Sequence, residues 1–178
     1  MILKPQDIVV LLKLCGYMSG SRPSYSVMAS ELEMSASEVH SAVKRLYQSH
    51  LIHGIEMNER PNLSAVEEFL IHGVKYAFPA ERGSLTRGMP TSYAAEPLSR
   101  LIDPGNEPVP VWADPTGNTR GIELVPLYKT VPAAAKRDPK LYERLTLIDA
   151  LRDGRARERN LAEQELKKSL RIYGSLQY

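Results

Sequence analysis

Six polar side chains, Ser37, His40, Ser41, Lys44, Arg45 and Gln48, share one side of a helical stretch whose other side is Val39, Ala42, Val43 and Leu46. Hydroxyl, imidazole and amide groups of this length suit base edges and nearby phosphates, while Lys44 and Arg45 suit the charge of a phosphate backbone. That chemistry is recognition of a double-stranded polyanion and breaks no bond. Elsewhere the chain offers little for catalysis. It has no glycine-rich phosphate loop, no nucleophile elbow and no paired carboxylates, so no catalytic residue, enzyme activity or cofactor is expected. His50 and His53 stand three apart without a cysteine or carboxylate at ligand spacing, and His72 is distant, so no metal is expected. Cys15, the single cysteine, falls in an apolar helical stripe with no basic neighbour and reads as an inert core residue.

The polar face must be positioned by helices. Pro5 to Leu14 reads as a first helix, with Ile8, Leu11, Leu12 and Cys15 at helical spacing and Pro5 tolerated in the first turn. Gly16 to Pro23 reads as a break, and Ser26 to Leu32 as a short helix burying Met28, Ala29 and Leu32. A turn at Glu33-Met34 follows. Ser35 with Glu38 three residues on forms a capping box that starts the next helix. Leu51-Ile52 reads as a strand leaving it. A further helix is expected from Ser64, boxed with Glu67, to a stop at Gly73, and a strand over Val74–Phe78.

Glycines and prolines predict an irregular connector over 81–110. Val109 to Tyr128 reads as a hairpin about the turn Asp114-Pro115-Thr116-Gly117-Asn118. Two helices close the chain. The first is capped by Asp138 with Pro139 behind it, carries Leu141, Leu145, Ile148 and Leu151 on one face and stops at Gly154. The second runs from about Ala156 to Tyr173, with Ala162, Leu166, Leu170 and Tyr173 on one face. These stripes need burial, against the hairpin or against a second copy.

The chain has 178 residues and a net charge of +2. Residues 1–60 hold six basic and six acidic side chains, and residues 111–178 hold thirteen basic and nine acidic. The basic surplus therefore lies away from the expected reading helix. No stretch is apolar enough to cross a membrane, the opening residues lack a secretion signal, and a lone cysteine fits a reducing compartment, so a cytoplasmic location is expected.

The segment Met28-Ala29-Ser30-Glu31-Leu32-Glu33-Met34-Ser35-Ala36-Ser37-Glu38-Val39 resembles the bihelical unit of MarR-like winged helix-turn-helix regulators, in which a small residue packs on an apolar one about ten positions later, here Ala29 and Val39. The likeness covers roughly residues 5–55, and Glu33 stands where the family favours glycine. It implies an α+β fold: a winged helix-turn-helix over 1–80, the connector over 81–110, and a hairpin with two helices over 111–178 that dimerises or binds a partner. It further implies a transcriptional regulator of prokaryotic type, a homodimer on double-stranded DNA, with Ser35, Ser37, His40, Ser41, Lys44, Arg45 and Gln48 at the duplex and Arg82 and Arg87 on an arm in the minor groove. The alternative is a protein-interaction module, such as an autoregulating antitoxin that holds a partner protein through 111–178. Tyr76, Phe78, Trp112 and Tyr128 are a further expectation, as walls of a small-molecule pocket.

Overall fold

From Asp7 to Cys15 every side chain of the first helix is buried. A helix apolar on all sides belongs at the centre of a fold, and α1 (Pro5–Leu14) is packed between α3 (Ala36–Gln48) and α7 (Pro139–Asp153). The computed structural model describes residues 2–17, 22–56 and 58–175, with side chains as far as Arg171. The chain is a mixed α+β fold with one hydrophobic core, which takes in α1, α2 (Tyr25–Leu32), α3, α7 and the last helix, α8 (Ala156–Ser175). Both charges buried on α1 are paired. Asp7 meets Arg45 of α3, and Lys13 meets Asp138 at 2.8 Å and Glu31 at 3.1 Å.

Local signals set the helix starts. Ser24, two residues before the expected start, caps α2 by accepting from Val27 N–H. The Ser35–Glu38 box forms in full: Ser35 Oγ accepts from Glu38 N at 3.1 Å, and Glu38 Oε2 accepts from Ser35 N at 2.8 Å. Between the helices Glu33 itself adopts the left-handed conformation (φ 55°, ψ 38°) where a glycine is usual. After α3 the chain makes a small antiparallel sheet, β1 (Ile52–His53) with β2 (Arg60–Pro61), joined by residues 54–59.

Five expectations are corrected beyond this point. The next helix, α4 (Leu63–Glu68), is capped by Asn62 and not by Ser64. It does not stop at Gly73. It passes through a π-helical turn (Phe69–Gly73) into α5 (Val74–Ala77), so Val74–Phe78 is not a strand. Val66, Leu70 and Val74 are all fully buried and four apart, a stripe that outweighs the brief alternation. Gly73 is small because the Phe69 ring lies on it: a Cβ there would sit 2.9 Å from that ring.

Part of the expected irregular connector is a nine-residue strand, β3 (Arg82–Pro90). The expected hairpin is also different. β4 (Pro110–Ala113) and β5 (Thr119–Leu124) each run antiparallel to β3 and parallel to one another, so the three strands close on themselves. The turn between them forms as read, with Gly117 N donating to Asp114 O at 3.0 Å. Closure that tight requires glycine, since a Cβ on Gly88 would lie 1.8 Å from the Trp112 carbonyl oxygen.

The helices α6 (Val131–Arg137), α7 and α8 lie back over the N-terminal half, α6 against α2, α7 against α1 and α8 against α4. Leu141, Leu145, Ile148 and Leu151 of α7, and Ala162, Leu166 and Leu170 of α8, are buried in this chain's own core. The side chain of Tyr173 lies outside the described residues.

Asp149 of α7 ties the halves together from inside. It accepts from Thr91 Oγ1 and from Trp112 Nε1, both at 2.7 Å, and from Arg152 Nη1 at 2.9 Å. Arg152 in turn donates to the carbonyls of Phe78 and Pro79. Removing one partner of a buried pair strands the other's charge. Asp149→Ala is therefore expected to lower the unfolding free energy by about 3–5 kcal/mol in urea titration, and a loss below about 1 kcal/mol, the worth of one ordinary hydrogen bond, would show that the network is not holding the sheet to α7.

Candidate nucleic-acid interface

The roll of α3 about its own axis decides which of its side chains face outward. Val39, Ala42, Val43 and Leu46 are buried as expected. Arg45 is buried as well, at 7% exposure: its Nε and Nη2 donate to the two carboxylate oxygens of Asp7 at 2.8 and 2.7 Å. This corrects the sequence reading, because a guanidinium held by both oxygens of a fully buried aspartate is not offered to a phosphate. Exposed polar side chains cluster on the opposite side. Ser37, Lys44 and Gln48 are exposed and Ser41 half-buried between them, at spacings of four and three that put all four on one face.

His40 borders that face and is half-buried against the Tyr25 ring, edge-on at 5.4 Å between centroids. Tyr25 is itself fixed: it and Arg22 both donate to Glu59 beside β2, and Arg22 stacks over its ring. Burial first, then the bond to Glu59, pushes the Tyr25 phenol up to about 12. The hydroxyl of Ser35 is engaged in the cap. Ile55, in the loop joining β1 to β2, is 42% exposed, and Tyr47 at the far end of α3 is 46% exposed.

The other border of α3 comes from residues that sequence reasoning did not place there, Tyr128 having been read as a pocket wall. Tyr128, in the segment between β5 and α6, donates its hydroxyl to Glu38, ninety positions away in sequence. Its neighbour Lys129 is exposed, with its ammonium 5.9 Å from the Tyr128 ring centre. Arg137, at the end of α6, donates to Ser30 O at 2.8 Å and pairs with Glu33 in the turn. No local pattern could have announced contacts of this range.

Arg82 and Arg87 are not on a free arm. Arg82 lies on β3 and is bound through two nitrogens to Asp153, at 2.8 and 3.1 Å, beside a cleft of about 170 Å³. Arg87 is exposed on the same strand, opposite Arg120 of β5. The four aromatics expected to wall a pocket are dispersed: Trp112 is in the core, Tyr76 is 78% exposed, and Tyr128 sits on Glu38. Burial pushes the Cys15 thiol up to about 12, which makes it a poor nucleophile. Among the described residues no group of three or more metal-ligating side chains comes together, and no helix is long and apolar enough to cross a membrane. Comparison with family models, curated proteins and solved structures finds no match to the chain.

The Glu38 contact gives the start of α3 a pH-dependent stability. The Tyr128 hydroxyl, and then the Ser35 backbone N–H, hold the Glu38 carboxyl below the usual carboxylate range. A carboxyl whose folded value is depressed contributes stability above its unfolded value, about 4.3, and loses it as pH falls through the folded value. Unfolding free energy measured from pH 7 down to pH 3 is expected to fall less steeply in Glu38→Gln than in wild type. Parallel profiles would mean that the capping carboxylate contributes no pH-dependent stability.

Proposed function

We infer that the chain binds double-stranded DNA by laying α3 in the major groove and acts as a transcriptional regulator of prokaryotic type. The observation that carries the reading is the open polar face of α3, Ser37, Ser41, Lys44 and Gln48, on a helix whose other side is anchored by apolar packing and by Arg45. A major groove about 12 Å wide admits one helix. Hydroxyl and amide groups on that helix address base edges, and Lys44 addresses the backbone.

The order of elements supports the MarR-like winged-helix form of the reading. Helices α1 to α3 lead straight into the antiparallel pair β1–β2, the order in which a wing follows a reading helix. Lys129, next to the N-terminal end of α3, adds a cation at the groove edge. A homodimer belongs to the proposal through duplex symmetry, which would set two reading helices one turn of DNA apart. It draws no support from the apolar faces of α7 and α8, which the chain covers itself.

The test separates contact from scaffold. Duplexes recovered from a random pool by the full chain are measured over a salt series. Lys44→Ala and Lys129→Ala are each expected to reduce the slope of log K against log salt by about 0.9, with melting temperature unchanged. Arg45→Ala is expected instead to cost about 3–5 kcal/mol of stability by stranding Asp7. Recovery of no duplex by wild type, or a Lys44→Ala protein with the wild-type affinity and slope, would remove the reading.

A further inference from the structure

The strand pair β3–β5 sets two arginines against each other. Arg87 is directly opposite Arg120 in the antiparallel register, and both are exposed. Opposed residues on such a pair share a face, with Cβ atoms about 4.5–5.5 Å apart, and like charges placed so are destabilising. The neighbouring side chains do not relieve this. The next pair along the same face is Leu85 with Ile122, and Glu123 alternates to the other face. Asp114 is close, since its N–H donates to the Arg87 carbonyl at 3.1 Å, but its carboxylate is buried and taken by Lys136 and Thr116. Among the described residues neither arginine has a carboxylate partner.

We propose that Arg87 and Arg120 form a two-guanidinium fork for a phosphate group. Each planar guanidinium presents parallel N–H donors that match two oxygens of one phosphate, so a single group placed between them is bound by both and cancels their repulsion. The shelf of Leu85 and Ile122 beside the fork keeps water from one side of the bound group. Backbone phosphate of a nucleic acid and a free phosphoryl compound offer the same chemistry to it. The fork stands on this strand geometry and does not require the reading of α3.

The experiment follows the arginine Nε–Hε resonances of the full chain during titration, first with inorganic phosphate and then with a duplex of random sequence. The variants are Arg120→Glu and Arg87→Gln/Arg120→Gln. Arg120→Glu converts the repulsive pair into an attractive one, so its circular dichroism and melting temperature are expected to hold while the response of Arg87 to phosphate disappears. For the duplex, loss of one backbone contact is expected to weaken binding about eightfold at 0.1 M monovalent salt. Loss of both responses assigns the fork to the nucleic-acid backbone, and loss of the phosphate response alone assigns it to a free phosphoryl ligand. Wild-type resonances that move with neither probe, or an Arg120→Glu protein that responds as wild type does, would overturn the proposal.

Discussion

The ion pair between Asp7 and Arg45 determines what α3 can present. Neither partner has appreciable contact with water, and the two hydrogen bonds between them are close to ideal in length. Separating them inside the protein would leave an uncompensated charge on each helix, at a cost of several kcal/mol. Apolar packing alone tolerates some rotation of a helix about its axis, whereas a two-point bond from a guanidinium does not. Arg45 reaches α1 from the border of the polar face, and with Val39, Ala42, Val43 and Leu46 buried on the far side, Ser37, Ser41, Lys44 and Gln48 are left facing outward. The outward face of α3 is thus set in part by a residue that itself faces inward.

The C-terminal half completes this arrangement. Lys13 of α1 reaches both Glu31 of α2 and Asp138, which caps α7, so one ammonium joins three helices. Tyr128 holds the N-terminal carboxylate of α3, and Arg137 holds the carbonyl and carboxylate on either side of the Glu33 turn. A non-glycine residue in the left-handed region costs on the order of 1 kcal/mol, and the Arg137 contacts offset that cost at a helix end where glycine is usual. The first three helices are therefore not a separable reading unit. They share one core with α7 and α8, and the geometry of the α2–α3 turn depends on residues more than a hundred positions later.

How much was legible in the sequence follows from the range of the forces involved. Caps act over three or four residues, and the box at Ser35–Glu38 and the cap at Asp138 were readable without the fold. The stripes of α3 and α8 were readable because each repeats over several turns, whereas the middles of α1 and α7 are buried all round. Val74–Phe78 failed because five residues satisfy a period of 2 and a period of 3.6 almost equally, and only Val66 and Leu70, on the other side of Gly73, decide between them. The strand Arg82–Pro90 failed because Gly83 and Gly88 look like chain breakers, while Gly88 is there to let β3 and β4 approach. Arg45 failed for a different reason. A basic residue on an amphipathic helix is solvent-facing unless a buried acid awaits it, and Asp7 lies 38 positions earlier in the chain.

The charge distribution, which looks unfavourable in sequence, has a structural explanation. The N-terminal 60 residues are neutral, yet the proposed duplex-facing surface needs available cations. Three of the six basic residues there, Lys13, Arg22 and Arg45, are spent on internal ion pairs, and their acidic partners Glu31, Glu59 and Asp7 are occupied with them. Lys44 on the face of α3 is left with its charge directed outward. Other exposed cations near the turn and the strands are Arg60 on β2, Lys129 beside the start of α3, and Arg87 and Arg120 on the β3–β5 face. In the proposed function, phosphate-neutralising groups beyond Lys44 come from outside α3, Lys129 among them. Counting charge by segment therefore misleads for this fold, because partners distant in sequence decide which charges reach the surface.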